Sequence, residues 1–249
     1  MVSAGNSFSS SPSTSQVKKA AHRIKKYLRD PAMARDDQYA EALDVIQRHR
    51  RAHYPAMNTA AVSLRGYCSR WDIPGTVSER LKRMETILDK LCRHQTMDLS
   101  KMQDIGGCRV IVPTIENVRL LQERLLKNHP GARVSDYVDQ PRSSGYRAVH
   151  IVTEWGTNPC KPIEIQLRSA VMHQWADMVE FVSQVIGVNY KVDLNEASPE
   201  PSPFQQWAKA FSEVLRVQEE GGTATQELLS LHQEAWQAVL NEDQGGGVK

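Results

Sequence analysis

Two carboxylates, each set beside an arginine at or near an apolar strand, are where this sequence can do chemistry. Residues 102–112 put Asp104 and then Arg109 just ahead of a β-branched stretch, and residues 163–168 put Glu164 two positions before Gln166 and four before Arg168. The stretches 110–112 and 163–165 predict strands. Period-two alternation in the second sends Glu164, Gln166 and Arg168 to one face and Ile163, Ile165 and Leu167 to the other. An ionised acid on an inner strand is costly unless a cation compensates it. Two such acids beside arginines fit a Mg2+ site on a polyphosphate, because Mg2+ takes one or two carboxylates together with phosphate oxygens. The same spacing fits two buried acid–arginine ion pairs, and spacing alone leaves both readings open.

A third informative stretch is the loop and strand at residues 136–150. Gly145 lets the backbone turn tightly, and Tyr146 and His150, four apart on a predicted strand over 146–153, face the same side. An exposed aromatic face is a stacking platform for a nucleobase. A tyrosine after a glycine at a hairpin mouth serves equally well as a structural residue.

The elements that must carry these residues follow from periodicity and punctuation. Residues 16–29, 36–51 and 58–70 predict three helices, with Pro31 and Pro55 between them. Residues 76–79 have capping-box spacing and predict the start of a helix with an apolar stripe of Leu81, Met84, Ile87, Leu88 and Leu91. On that helix Lys82, Arg83 and Lys90 lie away from the stripe and Arg80 sits in the first turn. This face suits a triphosphate and is equally an ordinary solvated face. A helix over 115–127, a strand over 133–138, and a helix over 169–185 buried through Val171, Met172, Trp175, Val179 and Val182 complete the centre. Two amphipathic helices, 203–219 and 225–240, close the chain. The expected organisation is a disordered start (1–15), a basic helical region (16–75), a core (76–191), a linker (192–203) and acidic helices (204–249). The fold class is α+β, with a mixed, largely antiparallel sheet of about five strands flanked by helices. No glycine fingerprint of a dinucleotide fold follows a strand, and no P-loop is present.

Charge is uneven although the net is only +2. Residues 16–70 carry 12 Lys/Arg against 5 Asp/Glu, and residues 192–249 carry 3 against 10. A basic front suits a polyanion, and two helical ends with solvated faces of opposite sign explain it as well. No apolar stretch is long enough to span a bilayer, and the Ser-rich start lacks the apolar segment of a secretory signal. Four scattered cysteines without a C-x-x-C pair fit reduced thiols, so a cytoplasmic location is expected.

Four segments, taken in order, resemble the synthetase domain of the RelA/SpoT family of (p)ppGpp pyrophosphokinases. They are Arg80-x-Lys82-x-x-x-Thr86-Ile87-x-x-Lys90-Leu91; Asp104-Ile105-x-Gly107-x-Arg109; Asp136-Tyr137 with Gly145-Tyr146-Arg147-x-x-His150; and Glu164-Ile165-Gln166-Leu167-Arg168-Ser169-x-x-Met172-His173-x-Trp175-Ala176. The resemblance implies that Asp104 and Glu164 are catalytic and hold Mg2+ on the ATP phosphates, with Glu164 also helping to deprotonate the acceptor. It implies that Arg80 and Arg109 sandwich the adenine and that Lys82 and Lys90 neutralise phosphate charge. Tyr146, with His150, Gln166 and Arg147, would bind the acceptor. The implied reaction is attack of a 3′-hydroxyl on the β-phosphorus of ATP with release of AMP, which needs metal, cations and in-line positioning rather than a covalent nucleophile.

Ser144 stands where the family usually has Asn, and Thr86 where it usually has Ser. The chain carries no His-Asp hydrolase motif, which implies a small, single-domain synthetase. Two acceptors are compatible with the resemblance: a free guanosine or adenosine nucleotide, or the 3′-CCA end of tRNA. The basic front, with Lys18, Lys19, Lys25 and Lys26 foremost, suits a tRNA backbone. The run 142–146, with Trp175-Ala176 and Val179-Glu180, resembles the toxic branches of the family and implies an antitoxin partner. A housekeeping (p)ppGpp synthetase of the stringent response and a non-catalytic RNA-binding module are the alternatives. The paired acids count against the latter, since binding alone does not require them.

Overall fold

The structure is a computed structural model that describes residues 11–30, 37–94, 96–157, 159–187 and 201–245, with side chains described through 241. The fold is α+β. The helices are α1 (Thr14–Arg29), α2 (Asp37–Arg51), α3 (Tyr54–Arg70), α4 (Met84–Arg93), α5 (Ile115–Asn128), α6 (Ala170–Val185), α7 (Pro203–Glu219) and α8 (Gln226–Gly245). The strands are β1 (Thr76–Leu81), β2 (Gly106–Val112), β3 (Arg133–Asp136), β4 (Val149–Trp155) and β5 (Lys161–Ser169), in the sheet order β1-β2-β5-β4-β3. The short β4–β5 connection permits only an antiparallel pair. β5 is the central strand, and its alternation is as expected: Ile163, Ile165 and Leu167 are buried, while Glu164 and Gln166 are half-buried.

The chain packs as two compact units. One comprises the described part of Met1–Ser63 with Ser78–Cys108 and Val152–Glu164; the other comprises Leu64–Val77, Arg109–Ile151 and the described part of Ile165–Lys249. The first is built around Val17, Ala21 and Ile24 of α1, Ala42 and Ile46 of α2, and Ile87 and Leu91 of α4, closed by Leu99, Met102 and Ile105. The second has an aromatic core in which Trp175 and Val179 of α6 meet Phe204, Trp207, Ala208 and Leu215 of α7 and Ala235 and Val239 of α8. Among the described residues no helix is long and apolar enough to cross a membrane.

Several boundaries differ from expectation, each for a physical reason. Ser13 caps α1 reciprocally with Gln16, so the helix begins inside the Ser-rich start. The expected linker lies outside the described residues up to residue 200. Pro55 does not separate two elements. It sits in the first turn of α3, where a missing N–H costs nothing.

The largest departure is at residues 76–81. The capping-box spacing there does not open a helix, because the segment is edge strand β1, with α4 starting only at Met84. Backbone pairing with β2 outcompetes the local cap, and the charged, exposed Glu79 and Arg80 are what an edge strand tolerates. β4 starts at Val149, so Tyr146 precedes the strand in a loop whose backbone bonds run from Arg142 N to Tyr146 O and from Tyr137 N to Ala148 O.

His49 and His53 are buried where α2 turns into α3, their rings edge-to-face at 5.1 Å, with His53 Nδ1 donating to the His49 carbonyl at 3.0 Å. Burial pushes both down to about 4. The positive charge of Lys161 adds to the effect in each, and at His53 the bond to the His49 carbonyl opposes it. The folded state therefore keeps both neutral while the unfolded chain takes up protons below about 6.5. Stability should be flat above that pH and fall as pH drops towards about 4, by an upper bound on the order of 3 kcal/mol per histidine. Urea midpoints at pH 7.5, 5.5 and 4.5 should decline steeply, and a His49→Asn/His53→Asn variant should flatten that slope. An unchanged slope would reassign the acid sensitivity to the carboxylates, whose effect belongs below their own ordinary values.

Candidate functional site

Asp104 lies two residues before β2, held between the end of β1 and α4. Its Oδ2 accepts from Lys82 Nζ at 2.9 Å and from Lys90 Nζ at 3.0 Å. Burial by itself would raise the Asp104 pKa, but the charges and hydrogen bonds of Lys82 and Lys90 outweigh it, and the carboxyl is held below the ordinary aspartate range. Its other oxygen, Oδ1, is buried with no hydrogen-bond partner among the described residues. An ionised carboxylate with one oxygen neutralised and the other unsatisfied is a ready ligand for a hard cation.

The elements around this triad exist to hold it. Lys82 follows β1, and its N–H donates to the Ile105 carbonyl at 2.8 Å, which ties the strand end to the residue after Asp104. Lys90 projects from the last turn of α4, whose Ile87 and Leu91 are fully buried. Arg50, near the end of α2, donates from Nε to the Lys82 carbonyl at 2.6 Å. The sequence offered Arg50 only as one more cation of the basic front. Its contact lies 32 residues away, and no local pattern could reveal it.

Glu164 is half-buried on β5, in the same unit as Asp104. A Cβ built on Gly107 would lie 3.5 Å from the Glu164 carbonyl oxygen and 3.7 Å from that of Arg80, so Arg80 on β1 and Glu164 on β5 sit alongside the same residue of β2. Arg80 is exposed, and Arg109 is half-buried on β2. Among the described residues no group of three or more His, Cys, Asp or Glu side chains forms a metal cage. The donors on offer are single carboxylates, which suits an ion that keeps water and phosphate ligands.

In the second unit an aromatic and cationic cluster surrounds Tyr146. Arg168 Nη2 donates to the Tyr146 hydroxyl at 3.0 Å, and that hydroxyl shares a 2.7 Å hydrogen bond with His150 Nε2. The guanidinium carbons of Arg168 and Arg142 lie 5.2 Å and 5.6 Å from the Tyr146 ring centre, within cation–π range. Tyr137 meets both Tyr146 and His150 edge-to-face, and Arg142 lies 4.4 Å over its ring. Gln166 is at the margin, with its Oε1 3.4 Å from Arg168 Nη2. The structure thus brings Tyr146, His150 and Gln166 together and adds Tyr137, Arg142 and Arg168. The signal for Tyr137 and Arg142 was their place at the two ends of the loop before Tyr146.

Other predicted residues lie outside this cluster. Arg147 is buried and paired with Glu219 of α7 at 3.0 Å; its neighbour in sequence, Tyr146, is the one that joins the cluster. Of the four lysines expected on a nucleic-acid face, Lys18 pairs with Asp98 at 3.1 Å and Lys25 donates to the Met97 carbonyl at 2.6 Å, while Lys19 and Lys26 are exposed.

Residues 79–185 match the family described as a region found in RelA / SpoT proteins. Over 166 residues the chain is 30% identical to an uncharacterised protein of Mycobacterium tuberculosis, covering 65% of this chain and 56% of that one. It is 31% identical over 112 residues to GTP pyrophosphokinase YwaC of Bacillus subtilis, covering 40% of this chain and 53% of the relative. The chain therefore spans little more than half the length of these curated relatives. In fold it is similar to small alarmone synthetase 1 from Bacillus subtilis bound to its product pppGpp, with a TM-score of 0.55 at 22% identity over 66% of this chain and 88% of that chain. Lys82, Lys90, Asp104, Tyr146, His150 and Glu164 all lie within the family match at residues 79–185.

The triad makes a direct prediction. With Lys82→Met and Lys90→Met together, burial acts on Asp104 unopposed, so its pKa should rise above the ordinary 3.8 instead of lying below it. Carboxyl-carbon NMR titration of the wild-type and doubly substituted chains reads this directly. An Asp104 that still titrates below its ordinary value in the variant would mean that the lysines are not what keeps it ionised.

Proposed function

We propose that this RelA/SpoT-type domain transfers the β,γ-diphosphate of ATP to the 3′-hydroxyl of a guanosine nucleotide. The observation that carries the proposal is Asp104, a half-buried, ionised carboxylate with one oxygen held by two lysines and the other buried and left unsatisfied. In this reading the 3′-oxygen attacks the β-phosphorus, the bond between that phosphorus and the α–β bridging oxygen breaks, and AMP leaves with the bridging oxygen. Glu164 takes the proton of the attacking hydroxyl. Lys82 and Lys90 stabilise the charge on the phosphates, the term that dominates phosphoryl-type transfer. Arg80 and Arg109 contribute to holding the donor base. Mg2+, held by Asp104 through Oδ1 and by Glu164, would supply further neutralisation of the phosphates.

The acceptor's base stacks on Tyr146, whose hydroxyl is fixed by Arg168 and His150 and whose ring is oriented by Tyr137. A guanosine nucleotide is supported by the activity that the name of YwaC states and by the pppGpp bound in the structurally similar synthetase. The 3′ end of tRNA is the less favoured acceptor, because Lys18 and Lys25 of the basic front are already engaged within the chain. The narrower reading, a growth-arresting protein restrained by an antitoxin, rests on the loop at 142–146.

The test incubates the full chain with Mg2+ and ATP labelled at the γ-phosphate, offering GDP, GTP, ADP and deacylated tRNA separately. Label should move to the guanosine nucleotides with one AMP formed per transfer, and Asp104→Asn should lower the rate by at least about 10²-fold, the usual cost of losing a charge-stabilising group. Label on tRNA alone would replace the acceptor, and AMP formation unaffected by Asp104→Asn would remove the site. In cells, expression of the wild-type chain should arrest growth where Asp104→Asn does not; equal arrest by both would detach toxicity from transfer.

A further inference from the structure

Tyr146 is bracketed in sequence by two residues that are both tied to α7. On one side Gly145 has φ +84, and its carbonyl accepts from Ser212 Oγ at 2.5 Å. A Cβ on Gly145 would lie 2.6 Å from Ser212 Cβ and 3.2 Å from the Lys209 Cα, so the loop touches the helix too closely for any side chain. On the other side Arg147 Nη1 pairs with Glu219 Oε2 at 3.0 Å, the two side chains only 6% and 5% exposed. Ser212 and Glu219 are seven apart, two turns along one face of α7. The same helix accepts a hydrogen bond at the Ala208 carbonyl from Trp175 Nε1 at 2.8 Å, and the Trp175 ring meets Tyr146 edge-on at 6.0 Å. Three points on α7 therefore fix the loop before Tyr146, the residue after it, and the ring packed against it.

We propose that α7 is the clamp of the acceptor loop, with Ser212 and Glu219 as positioning residues that hold residues 142–147 in the shape that presents Tyr146 to the acceptor. This rests on the reading of Tyr146 as the acceptor platform. The acidic C-terminal region thereby acquires a role: Glu219 is a buried counterion of the loop. The assignment also inverts the role expected for Arg147, which anchors the loop instead of touching the acceptor. The arrangement is expensive to disturb from one side only, because removing one partner leaves the other as an uncompensated buried charge.

The experiment compares wild type, Ser212→Ala and Glu219→Gln as full chains, with Arg147→Met/Glu219→Met as a variant that removes both charges at once and so protects against simple misfolding. Hydrogen exchange at the amides of residues 143–147 should accelerate about tenfold or more in Ser212→Ala and Glu219→Gln, while β2, β5 and α4 keep wild-type protection. The KM for GDP or GTP should rise about fivefold or more, with the KM for ATP within about twofold, and the double methionine variant should melt near wild type yet still show the raised acceptor KM. Loop exchange unchanged in Glu219→Gln would overturn the clamp whatever the activity. So would a lowered acceptor KM in that variant, since it would mean that a released Arg147 binds the acceptor. Donor and acceptor KM rising together would reduce α7 to general stability and overturn it as well. If the wild-type chain transfers no label at all, the transferase reading fails on its own, and the exchange data still decide whether α7 holds the loop.

Discussion

The carboxylate of Asp104 is the constraint around which the first unit is arranged. A half-exposed aspartate needs nothing from its fold, whereas one with a buried, unsatisfied oxygen needs its charge compensated by groups that cannot drift away. Lys82 and Lys90 supply that compensation from two different elements, so the end of β1 and the last turn of α4 must both come to the loop before β2. This explains why β1 stops at Leu81 and the chain turns before α4 begins: a helix running straight through residues 76–93 would carry the two lysines on one rigid rod. It also gives α1 and α2 a purpose. Arg50 holds the Lys82 carbonyl, Lys25 holds that of Met97, and Lys18 pairs with Asp98 just upstream of the Asp104 loop. The Asp98 carboxyl in turn caps the short turn Leu99–Lys101. The helical front is bracing for a charged site.

The second unit solves a different problem with different forces. The Tyr146 ring and hydroxyl are held by aromatic and cationic neighbours rather than by one ion pair. Edge-to-face contacts from Tyr137, His150 and Trp175 fix the ring, Arg168 and His150 fix its hydroxyl, and Arg142 and Arg168 lie within cation–π range. Each of these is worth little alone, so the precision must come from the backbone that carries Tyr146. That is why the tight approach of Gly145 to α7 and the buried Arg147–Glu219 pair matter more than any single ring contact. Asp136 contributes at the far end of the same loop, where it accepts from the amides of Val138 and Asp139 and pairs with Arg119 of α5. The loop is thus held at both ends by charged groups and in the middle by a helix.

What the sequence made legible was whatever depends on short range. The alternation of Ile163, Ile165 and Leu167 against Glu164 and Gln166 holds on β5, because a central strand buries one face continuously. The stripe through Met172, Trp175, Val179 and Val182 holds on α6 for the same reason, although Val171 is only partly buried. What escaped it shares one cause, a distant partner that no local signal announces. Capping-box spacing at residues 76–79 lost to pairing with β2, a strand some thirty residues away in sequence. The Glu219 partner of Arg147 lies 72 residues further on, where no local pattern reveals it. Asp104 and Glu164 stand out in the sequence as acids at apolar strands, and Lys82 and Lys90 as cations, but not as the hydrogen-bond donors to Asp104.

The charge run at the N-terminus carries the same lesson into function. A segment with seven excess positive charges reads as a polyanion-binding face when each cation is counted as solvated. In the folded chain Lys18 and Lys25 are spent on the segment leading to Asp104, Arg50 on Lys82, and Arg23 and Arg48 pair with Glu41 and Asp44 of α2. Exposed ion pairs of the last kind contribute little stability, but the bonds from Lys25 and Arg50 are partly buried and directed at backbone carbonyls, which fixes geometry. Net charge is blind to that difference. The excess that reaches solvent, through residues such as Lys19 and Lys26, is smaller than the count implies.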